Sequence, residues 1–338
     1  LILDGALDPG LKLPATRALA QALGMARDTV ENAYVQLHRD GFIERRKGSG
    51  SYVSQTLGME LRGAARRRIR RQDAPPPLPA AAEGLSLRGR VIHASGGVSD
   101  QQAIKAFATG LPETRSFPTD VWERLQRQAM RDHRGHVLLH GDPQGAESLR
   151  NAIAVYLNLE RGAKVSPEQI LVLSSTRQAL YLCAQLLVDA DKPILMENPG
   201  YFGAWKAFEA AQARVVPVDV DAQGIRTDLL VADRSGARCV YVTPSHQYPT
   251  GATMSLERRL ELINWAADGS KWIIEDDYDS EFHYDGLPTA CVQGLDAASR
   301  TLYIGTFSKT LYPGLRMGYM VLPAELVKPF AHARSIID

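Results

Sequence analysis

Cysteine is scarce in this chain: Cys183, Cys239 and Cys291 are the only three in 338 residues, and they fall in segments that read as helix, strand and loop. An odd number of widely separated thiols excludes a disulfide framework and offers no zinc-ligand spacing, which suits a reducing compartment. Long apolar runs are also missing. No stretch approaches the roughly 20 residues that a membrane helix needs, and no signal peptide precedes the first charged residues, so a cytoplasmic protein without a membrane partner is expected. A strong charge of one sign is absent overall, the net being +1. The balance is uneven, however. Residues 1 to 71 carry thirteen Lys and Arg against seven Asp and Glu, a surplus of +6, which leaves −5 for the rest. That asymmetry suggests a front end that faces nucleic acid and a more neutral body.

What is present is an ordinary globular composition, 45% hydrophobic and 23% charged. At this length two domains are expected, because single cores stop growing near roughly 250 to 300 residues. The chain starts at Leu1 and stops at Ile337 and Asp338 inside what reads as an amphipathic helix. A fragment of a longer protein is therefore expected.

In the front end, LPATRALAQAL from Leu13 predicts a short helix with Leu19, Ala22 and Leu23 on one side, ended by Gly24. Arg27 to Asp40 predicts a second helix, with Val30, Ala33, Tyr34 and Leu37 as its buried stripe and Gly41 closing it. The three-residue joint fits a helix-turn-helix. Phe42 to Arg45 and Ser51 to Val53 then read as strands of a basic, glycine-rich hairpin wing. The second helix would present its first turn to base edges in double-stranded DNA, making Arg27, Asp28 and Thr29 the candidate readers. Arg17, Arg46 and Lys47 would hold phosphates, with Gly48, Ser49 and Gly50 at the wing tip. The plain alternative is a packing unit with solvated arginines. LPATR at 13 to 17, LAQALGMARDTV at 19 to 30, AYVQL at 33 to 37, DGFIE at 40 to 44 and GSGSYV at 48 to 53 resemble the winged helix-turn-helix of the GntR family of bacterial regulators. That resemblance implies DNA contacts by Arg17, Arg27, Thr29 and the wing around Gly48 to Gly50. Ala26 departs from the family's usual serine, a lost cap worth about 1 kcal/mol.

The division expected is a DNA-binding domain over 1–55, a linker over 56–92 and a large domain over 93–338 that is incomplete at its C-terminus. The linker holds six arginines between Arg62 and Arg71 with no acid among them, then APPPLPAAAEG. Proline makes it an extended spacer. The arginines either add salt-sensitive DNA affinity or merely keep it solvated and extended.

From His93 strands alternate with helices. Strands are expected at Ile170 to Leu173, Pro193 to Met196, Arg214 to Val218, Cys239 to Val242, Trp272 to Glu275, Thr301 to Ile304 and Met317 to Leu322. Helices are expected at Arg177 to Val188, Gly203 to Ala211 and Leu256 to Ala267. Near-continuous apolar strands separated by helices predict an α/β fold with a mostly parallel sheet covered on both faces, whose ligands gather at the carboxyl ends of the strands. Chemically loaded residues sit at those ends. Ser174, Ser175 and Thr176 follow a strand and open a helix at Arg177, a phosphate cradle or a simple helix cap. Tyr201 follows a turn from which its ring could lie on a pyridine ring or on its own helix. Asp276 ends a strand and could keep a pyridine nitrogen protonated. Glu275, Asp277, Asp279 and Glu281 are expected to be loop or surface groups, and their spacing offers no metal site.

The chemistry converges on YIGTFSKTLYPGLRMGY, 303 to 319. Lys309, preceded by Thr306 and Ser308 and followed by Arg316, can join a carbonyl compound that carries a phosphate. That points to pyridoxal phosphate held as a Schiff base, with Lys309 as the activated amine and Arg316 forked to phosphate; otherwise Lys309 is an ordinary loop lysine.

GLPETRSFP at 110 to 118, GDPQGAESLR at 141 to 150, ENPGY at 197 to 201, TPSHQYPTG at 243 to 251, IIEDDYDSEF at 273 to 282 and GTFSKTLYPGLRMGY at 305 to 319 resemble the fold type I aminotransferases. Their order behind the winged helix resembles the MocR/GabR-type regulators. The resemblance implies covalent attachment at Lys309, pyridine-nitrogen pairing at Asp276, stacking by Tyr201 and a phenolate contact by Tyr278. It implies phosphate contacts from Thr176, Thr306 and Arg316, with Ser175, Arg177 and Ser308 beside them, and a homodimer. Tyr248 departs from the asparagine of ordinary aminotransferases, His140 from a common tyrosine and Ser175 from a usual glycine. The relatives' small C-terminal domain, with its carboxylate-binding arginine, would lie beyond Asp338. The expected function is a DNA-binding transcription regulator that senses an amino-compound effector or pyridoxal phosphate itself, with at most half a transamination. The alternatives are a working aminotransferase with an accessory DNA-binding domain, and a DNA-binding protein with a vestigial cofactor-free domain.

Overall fold

The computed structural model describes residues 7–8, 10–46, 48–54, 84–98, 110–282 and 289–337. Lys47, the arginine run and the proline segment lie outside the described residues.

The front end folds as α1 (Thr16–Leu23), α2 (Arg27–Arg39), β1 (Ile43–Arg46) and β2 (Gly50–Val53). Gly24 ends α1 in left-handed backbone at φ 65°, and its amide reaches Ala20 and Gln21 carbonyls. Ala26 gives α2 no side-chain cap. Its apolar face holds the helix instead: Ala20, Val30, Tyr34, Phe42 and Ile43 form a small core, with Leu13, Leu19 and Leu37 against it. The Tyr34 hydroxyl donates to Pro14 O at 2.9 Å. Three expected core positions are corrected, since Ala22, Leu23 and Ala33 are exposed. An eight-residue helix can bury only about one turn of its surface, and in α1 that turn is centred on Leu19 and Ala20. Val30, Tyr34 and Leu37 complete the inward stripe of α2 without Ala33.

This core continues into the large domain. Leu256, buried, belongs to it, and Leu260 and Leu295 pack against it. Asp40, just past α2, is buried there with its Oδ1 lacking a partner among the described residues. Burial lifts its carboxyl to about 6, against the opposing pull of Arg259.

The large domain begins with α3 (Leu87–Ala94), α4 (Thr119–Asp132), α5 (Arg134–Val137) and α6 (Glu147–Glu160). Next come β3 (Ile170–Leu173), α7 (Thr176–Leu187), β4 (Pro193–Asn198), α8 (Phe202–Ala210), β5 (Arg214–Asp221), β6 (Gly224–Ile225) and α9 (Thr227–Ala232). The chain then forms β7 (Cys239–Val242), α10 (Leu256–Asp268), β8 (Trp272–Asp277), α11 (Val292–Leu295), β9 (Thr301–Thr306), β10 (Gly318–Val321) and α12 (Ala324–Ile337). Residues 87–94, which begin inside the stretch expected as linker and run two residues past it, are helical, and Ser86 Oγ caps α3 by accepting from Gly89 N at 3.1 Å.

The sheet order is β3-β10-β9-β8-β7-β4-β5-β6. β10 runs antiparallel to β3 and β9, and β6 to β5, while the remaining pairs are parallel. One face buries Met196, Tyr241, Ile274, Ile304 and Met320 with Leu180, Phe208 and Phe330. The other buries Leu195, Val240, Val242 and Ile273 with Leu262 and Ala266 of α10. Cover on both faces explains the unbroken apolar strands. β4, β8 and β9 each run two residues past their expected ends, into Glu197–Asn198, Asp276–Asp277 and Gly305–Thr306. Backbone pairing continues where apolar side chains stop, so polar residues are held rigidly at the carboxyl edge of the sheet.

Candidate functional site

The carboxyl ends of β3, β9, β8, β7 and β4 lie side by side, with the start of β10 between the first two. At the end of β3, Ser175 caps α7 by accepting from Gln178 N at 3.2 Å, and Thr176 opens the helix. Arg177 donates to Val98 O at 3.3 Å. Gly318 opens β10 against this turn: a Cβ there would lie 3.4 Å from both Ser175 C and Thr176 N. Arg316, two residues earlier, is exposed in left-handed backbone at φ 51°.

β9 ends at Thr306, which is buried. Its hydroxyl donates to Ser308 Oγ at 3.0 Å and accepts from Ser308 N at 3.1 Å, closing the tight turn that presents Lys309. Lys309 Nζ donates to Gly110 O. Gly110 has φ 72°, and a Cβ there would come within 2.7 Å of Lys309 Nζ.

On β8, Asp276 is buried. Tyr241 of β7 donates to its Oδ2 at 2.7 Å, and its Oδ1 has no hydrogen-bond partner among the described residues. Burial pushes the carboxyl up to about 7, with Tyr241 pulling the other way. Tyr278, two residues on, stands 6.0 Å from the Tyr248 ring, which stands 5.6 Å from Tyr201, both pairs edge to face. The Tyr201 ring also lies over its own helix, since a Cβ on Gly203 would meet it at 2.4 Å. Burial raises the Tyr278 phenol well above its ordinary range.

Two acids expected on the surface are corrected. Glu275 is fully buried and accepts from Val292 N at 2.8 Å and Gln293 N at 2.9 Å. Asp277 is buried with Arg161, whose Nε lies 3.0 Å from its Oδ2. Tyr303 and Ser280 donate to the same oxygen at 2.5 and 2.7 Å, and Arg161 also donates to Ser245 Oγ at 2.8 Å. Expectation failed here because charge alone says exposed, whereas most of the partners come from α11, β9 and the residue just past α6, distant in sequence. Arg161 and Tyr241 were not singled out in the sequence, and neither carries a local signal. Among the described residues no group of three or more His, Cys, Asp and Glu could hold a metal ion, and no helix is long and apolar enough to cross a membrane.

In the winged helix, Arg27, Asp28 and Thr29 are exposed on the first turn of α2, at the opposite end from the Asp40 contact. Arg17 is exposed. Arg46 stacks over the Tyr52 ring at 4.6 Å and reaches Glu44 at 3.4 Å. Gly48 and Gly50 have φ 78° and 112°, and Ser49 Oγ lies 2.7 Å from Tyr52 OH between them.

The residues fit pyridoxal phosphate. A buried carboxyl oxygen with no donor among the described residues would suit a ring N–H, an amine stands just past the neighbouring strand end, and a helix N-terminus beside it would suit a phosphate.

Known proteins agree. The model of the bacterial regulatory proteins of the gntR family matches residues 1–53, and that of aminotransferase class I and II matches residues 107–336. The "Probable rhizopine catabolism regulatory protein MocR" of Rhizobium meliloti is 39% identical over 99% of this chain and 65% of its own length. The "HTH-type pyridoxine biosynthesis transcriptional regulator PdxR" of Corynebacterium glutamicum is 31% identical over 100% of this chain and 67% of its own. The chain thus spans just under two thirds of the length of MocR. Among solved structures, the kynurenine aminotransferase of Pyrococcus horikoshii is similar with a TM-score of 0.64 and 27% identity, over 68% of this chain and 58% of its own. LysN, an alpha-aminoadipate aminotransferase of Thermus thermophilus, has a TM-score of 0.64 and 29% identity over 69% and 59%. With a gntR-type winged helix in front of a fold type I sheet, this chain belongs to the class I and II aminotransferase family, in its MocR/GabR-type regulator branch.

Proposed function

We propose that this protein is a transcription regulator that binds double-stranded DNA through residues 1 to 53 and senses a small amino-compound, or pyridoxal phosphate itself, at Lys309. The observation that carries this reading is the pairing, on one chain, of an exposed α2 first turn with a buried Asp276 whose free oxygen lies at the carboxyl edge of the sheet beside the Lys309 turn.

When bound, pyridoxal phosphate supplies an electrophilic carbonyl carbon on a ring that withdraws electrons. Lys309 is the amine for that carbon, and Asp276, oriented by Tyr241, holds a proton on the ring nitrogen. Ser175, Thr176, Arg177, Thr306, Ser308 and Arg316 bind the phosphate, Tyr201 stacks on the ring and Tyr278 meets its hydroxyl. An amino-compound offers the same functional group as Lys309 and competes with it. Such an effector acts by favouring one of two arrangements of the protein. Arg27, Asp28 and Thr29 read bases, while Arg17, Arg46, Lys47 and the wing glycines and Ser49 fit against the backbone. A division into a winged helix over 1–55, a linker and a large domain that takes in α3, a cytoplasmic location and a homodimer belong to the same reading.

Titration with pyridoxal phosphate is expected to produce a visible absorbance band that Lys309→Ala abolishes. A gel-shift titration is expected to show weaker and less selective DNA binding by Arg27→Ala. No band in the wild type sinks the cofactor half; unchanged DNA affinity and preference sinks the placing of α2. Rapid repeated turnover with an amino acid and a keto acid would favour an enzyme instead.

A further inference from the structure

A buried polar clasp joins the two loops that carry the aromatic rings of this site. β4 and β7 are neighbours; one leads into Glu197, Pro199 and Tyr201, the other into Thr243, Gln247 and Tyr248. Glu197 is 1% exposed and Gln247 0%. Glu197 Oε2 accepts from Thr243 Oγ1 at 2.6 Å, Thr243 N at 3.2 Å and Gln247 Nε2 at 3.2 Å. Gln247 Nε2 also donates to Pro199 O at 2.9 Å and Tyr248 O at 2.6 Å. Its Oε1 accepts from Thr250 Oγ1 at 2.7 Å and Thr250 N at 3.2 Å. Thr243 Oγ1 closes the ring by accepting from Tyr248 N at 2.9 Å. The turn after Glu197 is tight enough that a Cβ on Gly200 would lie 2.3 Å from Glu197 O.

One amide thus touches the backbone on the way to Tyr201 and the backbone of Tyr248 itself, and the two rings meet at 5.6 Å. Full burial makes an unmatched substitution expensive, because each stranded polar partner loses its bond without gaining water. We propose that Glu197 and Gln247 are positioning residues that hold the Tyr201 and Tyr248 rings as one unit at the cofactor end of the sheet. The inference rests on reading this as a pyridoxal phosphate site. Glu197 serves as a hydrogen-bond acceptor, its Oε2 taking three donors, and the amide of a glutamine offers the same acceptor oxygen.

The test is a double-mutant cycle read by equilibrium binding of pyridoxal phosphate, with thermal unfolding of the unliganded protein as a control. Gln247→Met is expected to raise the Kd about tenfold, and to lose most of that effect when Tyr201→Ala and Tyr248→Ala are already in place. Glu197→Gln is expected to bind as the wild type does. If Gln247→Met unfolds the protein, Glu197→Asp, which shortens the reach to Gln247, takes its place in the cycle. An unchanged Kd, or an effect equally large without the two rings, overturns the proposal, as does a Glu197→Gln protein that binds as poorly as Gln247→Met. Wild-type protein that binds no pyridoxal phosphate would instead overturn the reading of the site, a different result from any of these.

Discussion

Tyr241 donates a 2.7 Å hydrogen bond from β7 to Asp276 on β8, with both residues buried. The bond is the main favourable influence on an acid that burial pushes up to about 7. Tyr241→Phe removes it and raises Asp276 further, so that less of the acid is ionised at neutral pH. The Kd for pyridoxal phosphate is expected to rise on the order of tenfold at pH 7. The gap should narrow toward pH 9, where both proteins carry the ionised acid; absorbance titration at the two pH values measures it.

Arg161 and Asp277 form an ion pair with side chains only 2% and 1% exposed. Arg161→Met strands Asp277 in the interior, and breaking a buried pair in this way costs about 3 to 5 kcal/mol. Denaturant unfolding should record that loss. Because Asp277 adjoins both Asp276 and Tyr278, cofactor affinity should fall as well.

Gly110 leaves room for the amine of Lys309. In Gly110→Ala the new methyl group would lie 2.7 Å from Lys309 Nζ, and the residue would sit at φ 72°. The far end of a lysine yields easily, so the fold should lose only about 1 kcal/mol from backbone strain. The amine is displaced, however, and the absorbance band with pyridoxal phosphate is expected to form more slowly or less completely than in the wild type.

Asp40 makes the seat of the winged helix on α10 sensitive to pH. Its carboxyl is raised from 3.8 to about 6 by burial. An acid with a raised folded value stabilises the folded arrangement while protonated. Its contribution is full below about 3.8 and lost as pH rises through about 6. Hydrogen exchange in α2 should therefore quicken between about pH 4 and pH 6 beyond the intrinsic rate increase. Asp40→Asn, neutral throughout, should flatten that excess.

Much of this site was legible before folding. Lys309, Asp276 and Tyr201 each follow an apolar strand, and in a parallel sheet that position alone brings them to one edge. The Arg27–Thr29 turn follows similarly from a helix start next to a glycine-closed turn. Tyr241, Arg161, Glu197 and Gln247 were not legible as site residues, because each acts on a partner whose sequence distance carries no pattern: Tyr241 on Asp276, Arg161 on Asp277, and Glu197 and Gln247 on each other's loops.

The sequence by itself determined the α/β class, the winged helix and the mostly parallel sheet, because periodicity, turn chemistry and strand-end polarity are local properties. Only the tertiary structure decided which acids are buried and what holds them. It also decided that Tyr201 and Tyr248 share a clasp and that the winged-helix core reaches Leu256 of α10. Those outcomes depend on desolvation and on hydrogen bonds between elements far apart in the chain, and burial is a property of the packed whole rather than of any segment.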